Sequence, residues 1–161
     1  MFLNNKLKKT GEYVIKGLEI RPLEKQDREQ WQFIWREYLR FYETELPLEI
    51  YSETFSRLTD NNNTDQNCLV AHTGEILHGL VHYIYHPHNW KSEDVCYLQD
   101  LFTLKEVRRR GIARALIKAV YTAADTNGTS SVYWMTQEFN HDARKLYEQV
   151  ASLTPFIKYQ R

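Results

Sequence analysis

Net charge is the first thing this 161-residue chain lacks: Lys plus Arg and Asp plus Glu both count 21. There is therefore no global pull toward nucleic acid or a membrane surface. Long apolar runs are also missing. No stretch approaches the roughly 20 residues that a membrane helix needs, and the opening MFLNNKLKKT has neither the apolar core of a signal peptide nor that of an anchor. Cysteine is sparse. Cys68 and Cys96 stand far apart without a CxxC partner, which predicts buried reduced thiols and fits a cytoplasmic protein. Histidines are present but badly spaced for a metal. His78, His82 and His86 recur every fourth residue, so on a strand each adjacent pair stands about 13 Å apart and no single ion spans them. No metal site is expected. GxxxxGK[ST] is absent, and so is GxGxxG, which excludes the two commonest glycine-rich nucleotide loops. Repeats, low-complexity tracts and linkers are missing too. Residues 1–12 read as a flexible basic lead-in, and residues 13–161 as a single domain of ordinary apolar (42%) and charged (26%) content.

What the chain does have is concentrated in LQDLFTLKEVRRRGIARALI, Leu98 to Ile117. Leu98, Leu101 and Phe102 suit a buried strand, and Lys105 to Arg110 a basic turn. From Gly111 onward, Ile112, Ala115, Leu116, Ala119 and Val120 recur at helical spacing. Gly111 and Ala113 leave little side chain at the helix start, so a ligand can approach the backbone. The first amides of a helix lack internal partners, and its dipole favours an anion there. Arg108, Arg109, Arg110 and Arg114 add charge at the same place. Such a turn suits a diphosphate; on local sequence it reads equally well as an ordinary helix start with a solvated charge run.

In chain order, Tyr13 to Arg21 alternates as a first strand stopped by Pro22. Glu24 to Tyr42 places Trp31, Ile34, Trp35, Tyr38 and Leu39 on one helical face. Pro47 opens a second helix to about Leu58, with Leu48, Tyr51, Phe55 and Leu58 as its buried row. Cys68 to His72 and Leu77 to Tyr85 read as strands joined at Thr73-Gly74, followed by a strand from Val95 to Thr103. Asn127-Gly128 ends the central helix. Ser131 to Thr136 is a strand, Asn140 caps a last helix bearing Ala143, Leu146, Tyr147 and Val150 on one face, and Phe156 to Tyr159 reads as a closing strand. The aromatic set Trp31, Trp35, Tyr38, Tyr42, Tyr83, Tyr85 and Trp90 is expected in the core and the wall of a cleft.

The order Arg108-x-x-Gly111-x-Ala113 after a strand resembles the Q/R-x-x-G-x-G/A loop of the GNAT N-acetyltransferase superfamily. The element order from Tyr13 onward resembles the same fold. The stretches ELPLEIYSETFSRL, GLVHYIYHPHNW and VYWMTQEFNHDARKLYEQVA, together with Phe156-Ile157-Lys158-Tyr159, are similar to its histone-and-polyamine acetyltransferase-like branch. The resemblance implies an α/β GNAT fold: a mixed, mostly antiparallel twisted sheet with flanking helices and two splayed strands that admit acyl-CoA. It implies acetyl-CoA as co-substrate, and a homodimer, with the C-terminal strand as its joint.

What the resemblance implies for the site follows residue by residue. The loop Arg108, Arg109, Arg110, Gly111, Ile112, Ala113 and Arg114 would hold the diphosphate. Main-chain groups of Leu101, Phe102 and Thr103, with the side chain of Asn140, would meet the pantetheine arm. Tyr147 stands at the tyrosine of the family's N-x-x-A-x-x-L-Y and would protonate the leaving thiolate; by spacing alone it is equally a core tyrosine. Polyamine-acetylating relatives carry Leu-Glu-Asp where this chain has Leu98-Gln99-Asp100, and an amide cannot take the amine's proton. No base is assigned. Glu37 to Glu53 holds five glutamates against one arginine, so Glu45 and Glu49, with Gln99, are candidate contacts for a cationic acceptor; a solvated helix face explains the acids equally well. The activity expected is acetyl transfer to a primary amine, a polyamine-like small molecule first and a protein lysine second. The alternative is an acyl-CoA-binding regulatory or assembly domain, which Gln99 favours and Tyr147 disfavours.

Overall fold

Apolar residues along three long strands build the centre of a five-stranded sheet in the computed structural model, which describes residues 15–129 and 131–161. The strands are β1 (Glu19–Pro22), β2 (Gln66–Thr73), β3 (Ile76–His86), β4 (Val95–Thr103) and β5 (Val132–Tyr133), lying side by side in that order. β1 to β4 are antiparallel, and β5 joins β4 in parallel. β2 is buried on both faces, with Cys68 and Val70 packed to one side and Leu69 and Ala71 to the other. The helices are α1 (Arg28–Phe41), α2 (Leu48–Leu58), α3 (Ile112–Thr126) and α4 (His141–Val150).

Two cores result. On one face α3 lays Ile112, Leu116, Ile117 and Val120 against β2 to β4, and Leu146, Tyr147 and Val150 of α4 close over its edge. On the other, α1 and α2 bury Trp31, Ile34, Trp35, Tyr51 and Phe55. Trp31 is fully buried, with ring centres 5.2 Å from Trp35 and 5.1 Å from Phe55. Truncating such a tryptophan to alanine costs about 3–5 kcal/mol. Cys68 and Cys96 are buried free thiols, and burial pushes the Cys68 thiol well up and that of Cys96 up to about 11.

Several expectations need correction. The first strand is shorter than read, Glu19–Pro22, and includes Pro22 as its last residue; residues 13 and 14 lie outside the described residues, as does the whole basic lead-in, residues 1–12. β1 is a sheet edge, where a missing amide is tolerated. Leu48 is exposed (69%), because it opens α2 and points away from the sheet, while Ile50 packs instead. Trp90 is also exposed (87%), in the loop after β3. The strand expected at Ser131 to Thr136 is reduced to Val132–Tyr133. Phe156 to Tyr159 forms no strand; the segment is exposed and no strand beside it supplies hydrogen bonds among the described residues. The ends of α3 are as expected: Gly111 stands before it at φ 79°, and Gly128 follows it at φ 74°. Both are left-handed conformations that glycine adopts without steric cost.

Candidate active site

β4 and β5 pair at only two positions, Cys96 with Val132 and Tyr97 with Tyr133. β4 then runs on to Thr103 with no paired neighbour on that side among the described residues, and the strands part. A cleft of about 600 Å³ opens at the divergence. Its walls include Leu101, Phe102 and Thr103 of β4, Arg108 and Arg109 of the turn, Gly111 to Arg114 at the start of α3, and Asn140 and Tyr147 around α4. Ten of the cofactor residues read from the sequence thus meet in one cavity; Arg110 is outside its lining. α1 supplies Tyr38 and Tyr42 to the same cleft.

The start of α3 is built for an anion. No side chain caps it, and its ladder begins with the Ala115 amide donating to Gly111 (3.0 Å), so the Ile112 and Ala113 amides precede the first intrahelical bond. Arg108 is held in place, its Nε donating to the Thr103 carbonyl (3.1 Å) and its guanidinium lying 5.2 Å over the Phe102 ring. Arg109 and Arg114 are anchored more loosely, the first 3.7 Å from Asp142 and the second donating to Gln149 (2.5 Å).

Asn140 caps α4, its Oδ1 accepting from the Ala143 amide (3.4 Å) while Nδ2 donates to Thr136 (3.3 Å). Tyr147 lies two turns on. Its ring packs edge-on to Trp134 at 5.3 Å, but its hydroxyl has no hydrogen-bond partner among the described residues. Tyr121, on the neighbouring helix, donates its hydroxyl to the Val150 carbonyl instead (3.0 Å). Burial pushes the Tyr147 phenol up to about 12, so near neutrality it carries a proton that it can donate.

A second cavity of about 270 Å³ lies on the α1–α2 side of β4. It takes Gln99 and Asp100 from the strand, Leu46 and Ile50 from the start of α2, and Arg57 from its end. The β3–β4 register slips here: His82 faces Asp100 and Tyr83 faces Leu98, leaving Gln99 as the extra residue of a bulge. Gln99 is exposed and Asp100 is buried, as expected for neighbours on a strand. Asp100 Oδ2 accepts from Trp35 Nε1 (3.1 Å) and His82 Nδ1 (2.8 Å). Trp31 Nε1 donates to His82 Nε2 (2.9 Å), so Nδ1 carries the proton that His82 gives to Asp100. Tyr38 lies against the same carboxylate; burial first, and then that charge, push its phenol far above the ordinary value.

Glu45 and Glu49 are exposed and line neither cavity; they flank Leu46 and Ile50, which do. The three histidines of β3 have separate partners, Thr73 for His78 (2.6 Å), Asp100 for His82 and Tyr133 for His86 (2.9 Å). No metal-binding group of His, Cys, Asp or Glu side chains occurs among the described residues, and no helix among them is long and apolar enough to cross a membrane. Sequence reasoning missed the His82–Asp100 pair and Arg57. An acid between Leu98 and Leu101-Phe102 was the available signal for the first; nothing in the sequence singled out the second.

Residues 29–151 match the Acetyltransferase (GNAT) family. The chain is similar to the D-amino-acid N-acetyltransferase HPA3 of Saccharomyces cerevisiae, 37% identical over 144 residues that make up 88% of this chain and 89% of that protein. Among solved structures it is similar to the aminoglycoside N-acetyltransferase AAC(6')-Iy in complex with CoA, with a TM-score of 0.78 and 19% identity over 96% of this chain and 98% of that one. It is also similar to the ribosomal-protein-alanine N-acetyltransferase of Brucella melitensis biovar Abortus 2308, with a TM-score of 0.72 and 22% identity over 89% and 98%.

Proposed function

The chain belongs to the GNAT acetyltransferase family, and from that premise we propose that its β4–β5 cleft holds acetyl-CoA while a small-molecule primary amine receives the acetyl group from the far side of β4. N-acetyl transfer with acetyl-CoA as donor is the activity of the family and of the yeast relative. The observation that carries the siting is the convergence of an uncapped helix start, a left-handed glycine and three arginines on one cleft that is also lined by a phenol with no partner among the described residues.

The donor fits these residues. Its diphosphate is matched by the Ile112 and Ala113 amides and by Arg108, Arg109 and Arg114, with Gly111 leaving the approach clear. Arg110 adds charge from outside the lining. The unpaired edge of β4 at Leu101 to Thr103 offers amides and carbonyls to the pantetheine arm, with Asn140 opposite. Bound there, acetyl-CoA supplies an acetyl group already activated as a thioester. Tyr147 then donates its proton toward the departing sulfur. The backbone amides of the β4 edge polarise the carbonyl. Gln99 accepts a hydrogen bond from the amine and orients it; the proton that the nitrogen sheds as the N–C bond forms and the C–S bond breaks passes to bulk water, which also reprotonates Tyr147.

Resemblance to the histone-and-polyamine branch supports a polyamine-like acceptor, with a protein lysine second; the yeast relative's name supports an amino acid. A homodimer is supported by Leu153, Phe156, Ile157 and Tyr159, all at least 75% exposed, which a second copy would cover. The test of the function is thiol release from acetyl-CoA across a panel of polyamines, amino acids, monoamines and lysine peptides. Release that depends on a small amine is the expected result. Release by none of the amines, with acetyl-CoA bound, would refute transfer.

A further inference from the structure

The second cavity has a charge pattern that neither a polyamine nor a simple monoamine fills. Resting on the transfer reading above, we infer that it is the acceptor pocket and that its ligand is an amino acid, with the amine held at Gln99 and Asp100 and the carboxylate held by Arg57. A polyamine needs several anions along its length. Asp100 is the only carboxylate in the lining, and the acids nearest the entrance in sequence, Glu45 and Glu49, are outside it. Arg57 is the opposite pole. It is exposed, and the only hydrogen bond of its side chain among the described residues runs from Nη2 to Thr54 (3.2 Å), with no carboxylate of those residues in ion-pair reach. Its fork is thus available for a carboxylate ligand, the partner it binds with two parallel hydrogen bonds. Between the poles, Leu46, Ile50 and Ile84 give an apolar wall for a side chain.

The geometry also delivers the amine to the donor. Asp100 lines the second cavity, and the next residue, Leu101, lines the first. The bulge at Gln99 re-aims the strand at this step. Tyr38 bridges the two sides, lining the donor cleft and lying against Asp100. An amine seated between Gln99 and Asp100 therefore stands one to two residues along β4 from Leu101 in the wall of the donor cleft, and Arg57 fixes how the molecule is turned there.

The test compares leucine, as each enantiomer, with 3-methylbutylamine, which is leucine without its carboxylate, and with spermidine. The parent should prefer leucine to both amines. Arg57→Gln should lower the ratio of kcat/KM for leucine to that for 3-methylbutylamine by roughly tenfold to a hundredfold, the weight of one charge-assisted pair. Arg57→Lys should restore part of it. Arg57 is exposed on the last turn of α2, so a folded variant is expected and thermal melts check it. An unchanged ratio, or a parent that acetylates spermidine in preference to leucine, would overturn the assignment of this pocket while leaving acetyl transfer standing. Failure of the parent with every amine would overturn the transfer reading instead.

Discussion

Replacing Tyr147 by phenylalanine isolates a single atom. The ring keeps its edge-on contact with Trp134 at 5.3 Å and its place over the α3 core. The lost hydroxyl has no partner among the described residues, so no protein group is left unsatisfied. Stability should therefore change by less than about 0.5 kcal/mol, the range of a substitution that disturbs no packing or hydrogen bond. Catalysis should suffer far more. A general acid contributes roughly a hundredfold to ten-thousandfold, so single-turnover acetyl transfer should slow by that factor at matched acetyl-CoA occupancy. Donor affinity should barely move, because the diphosphate is matched by the Ile112 and Ala113 amides and the arginines and not by the phenol. A melting temperature lowered by several degrees with transfer within a few-fold of the parent would make Tyr147 a packing residue and refute the reasoning.

Gly111→Val places a branched side chain at φ 79°, costing about 1–2 kcal/mol of backbone strain, and should weaken acetyl-CoA binding strongly; unchanged calorimetric affinity in the folded variant would reject the cradle. Asp100→Asn can keep its amide oxygen on the Trp35 and His82 donors but removes the charge that strengthens both bonds, and should cost about 1–3 kcal/mol in urea unfolding; a loss under 0.5 kcal/mol would mean that the buried network is not specified by charge. Glu45→Gln with Glu49→Gln should leave KM for spermidine and for monoamines equally unaffected, since neither residue lines a cavity; a selective rise for spermidine would restore them to the acceptor site. Burial raises the Cys96 thiol to about 11 and the Tyr147 and Tyr85 phenols to about 12. The unfolded chain therefore loses these protons first, and stability should fall as pH rises from about 9 to 12. Melting temperatures that hold steady across that window would contradict the burial assigned to these groups.

Legibility from sequence followed the range of the interactions. The strand Val95–Thr103 and the helix stop at Asn127-Gly128 were readable because local periodicity and a left-handed glycine determine them. The β4–β5 cleft was readable for the same reason: most of the lining residues expected from the sequence lie within Leu101 to Arg114, a strand, turn and helix start contiguous in the chain. β5 was overread because its length depends on β4 turning away, which Val132 to Thr136 do not encode. The closing strand at Phe156 to Tyr159 failed for a related reason, since alternation cannot supply the neighbour a strand requires. The second cavity was hidden because it is assembled across distance. His82 meets Asp100 through the bulged register of β3 and β4, and Arg57 joins them from the far end of α2. The acidic run Glu37 to Glu53 pointed to a segment that does reach the second cavity, but through Leu46 and Ile50, with Glu45 and Glu49 exposed outside the lining.

The central claim is that acetyl-CoA lies between β4 and β5 with its diphosphate on the start of α3. Amide hydrogen exchange with and without saturating acetyl-CoA measures this directly. Protection concentrated at Leu101 to Thr103 and at Gly111 to Ala113, with little change along α2, is the predicted result. Protection confined to the second cavity, or none at either β4 or α3 while calorimetry reports binding, would contradict it.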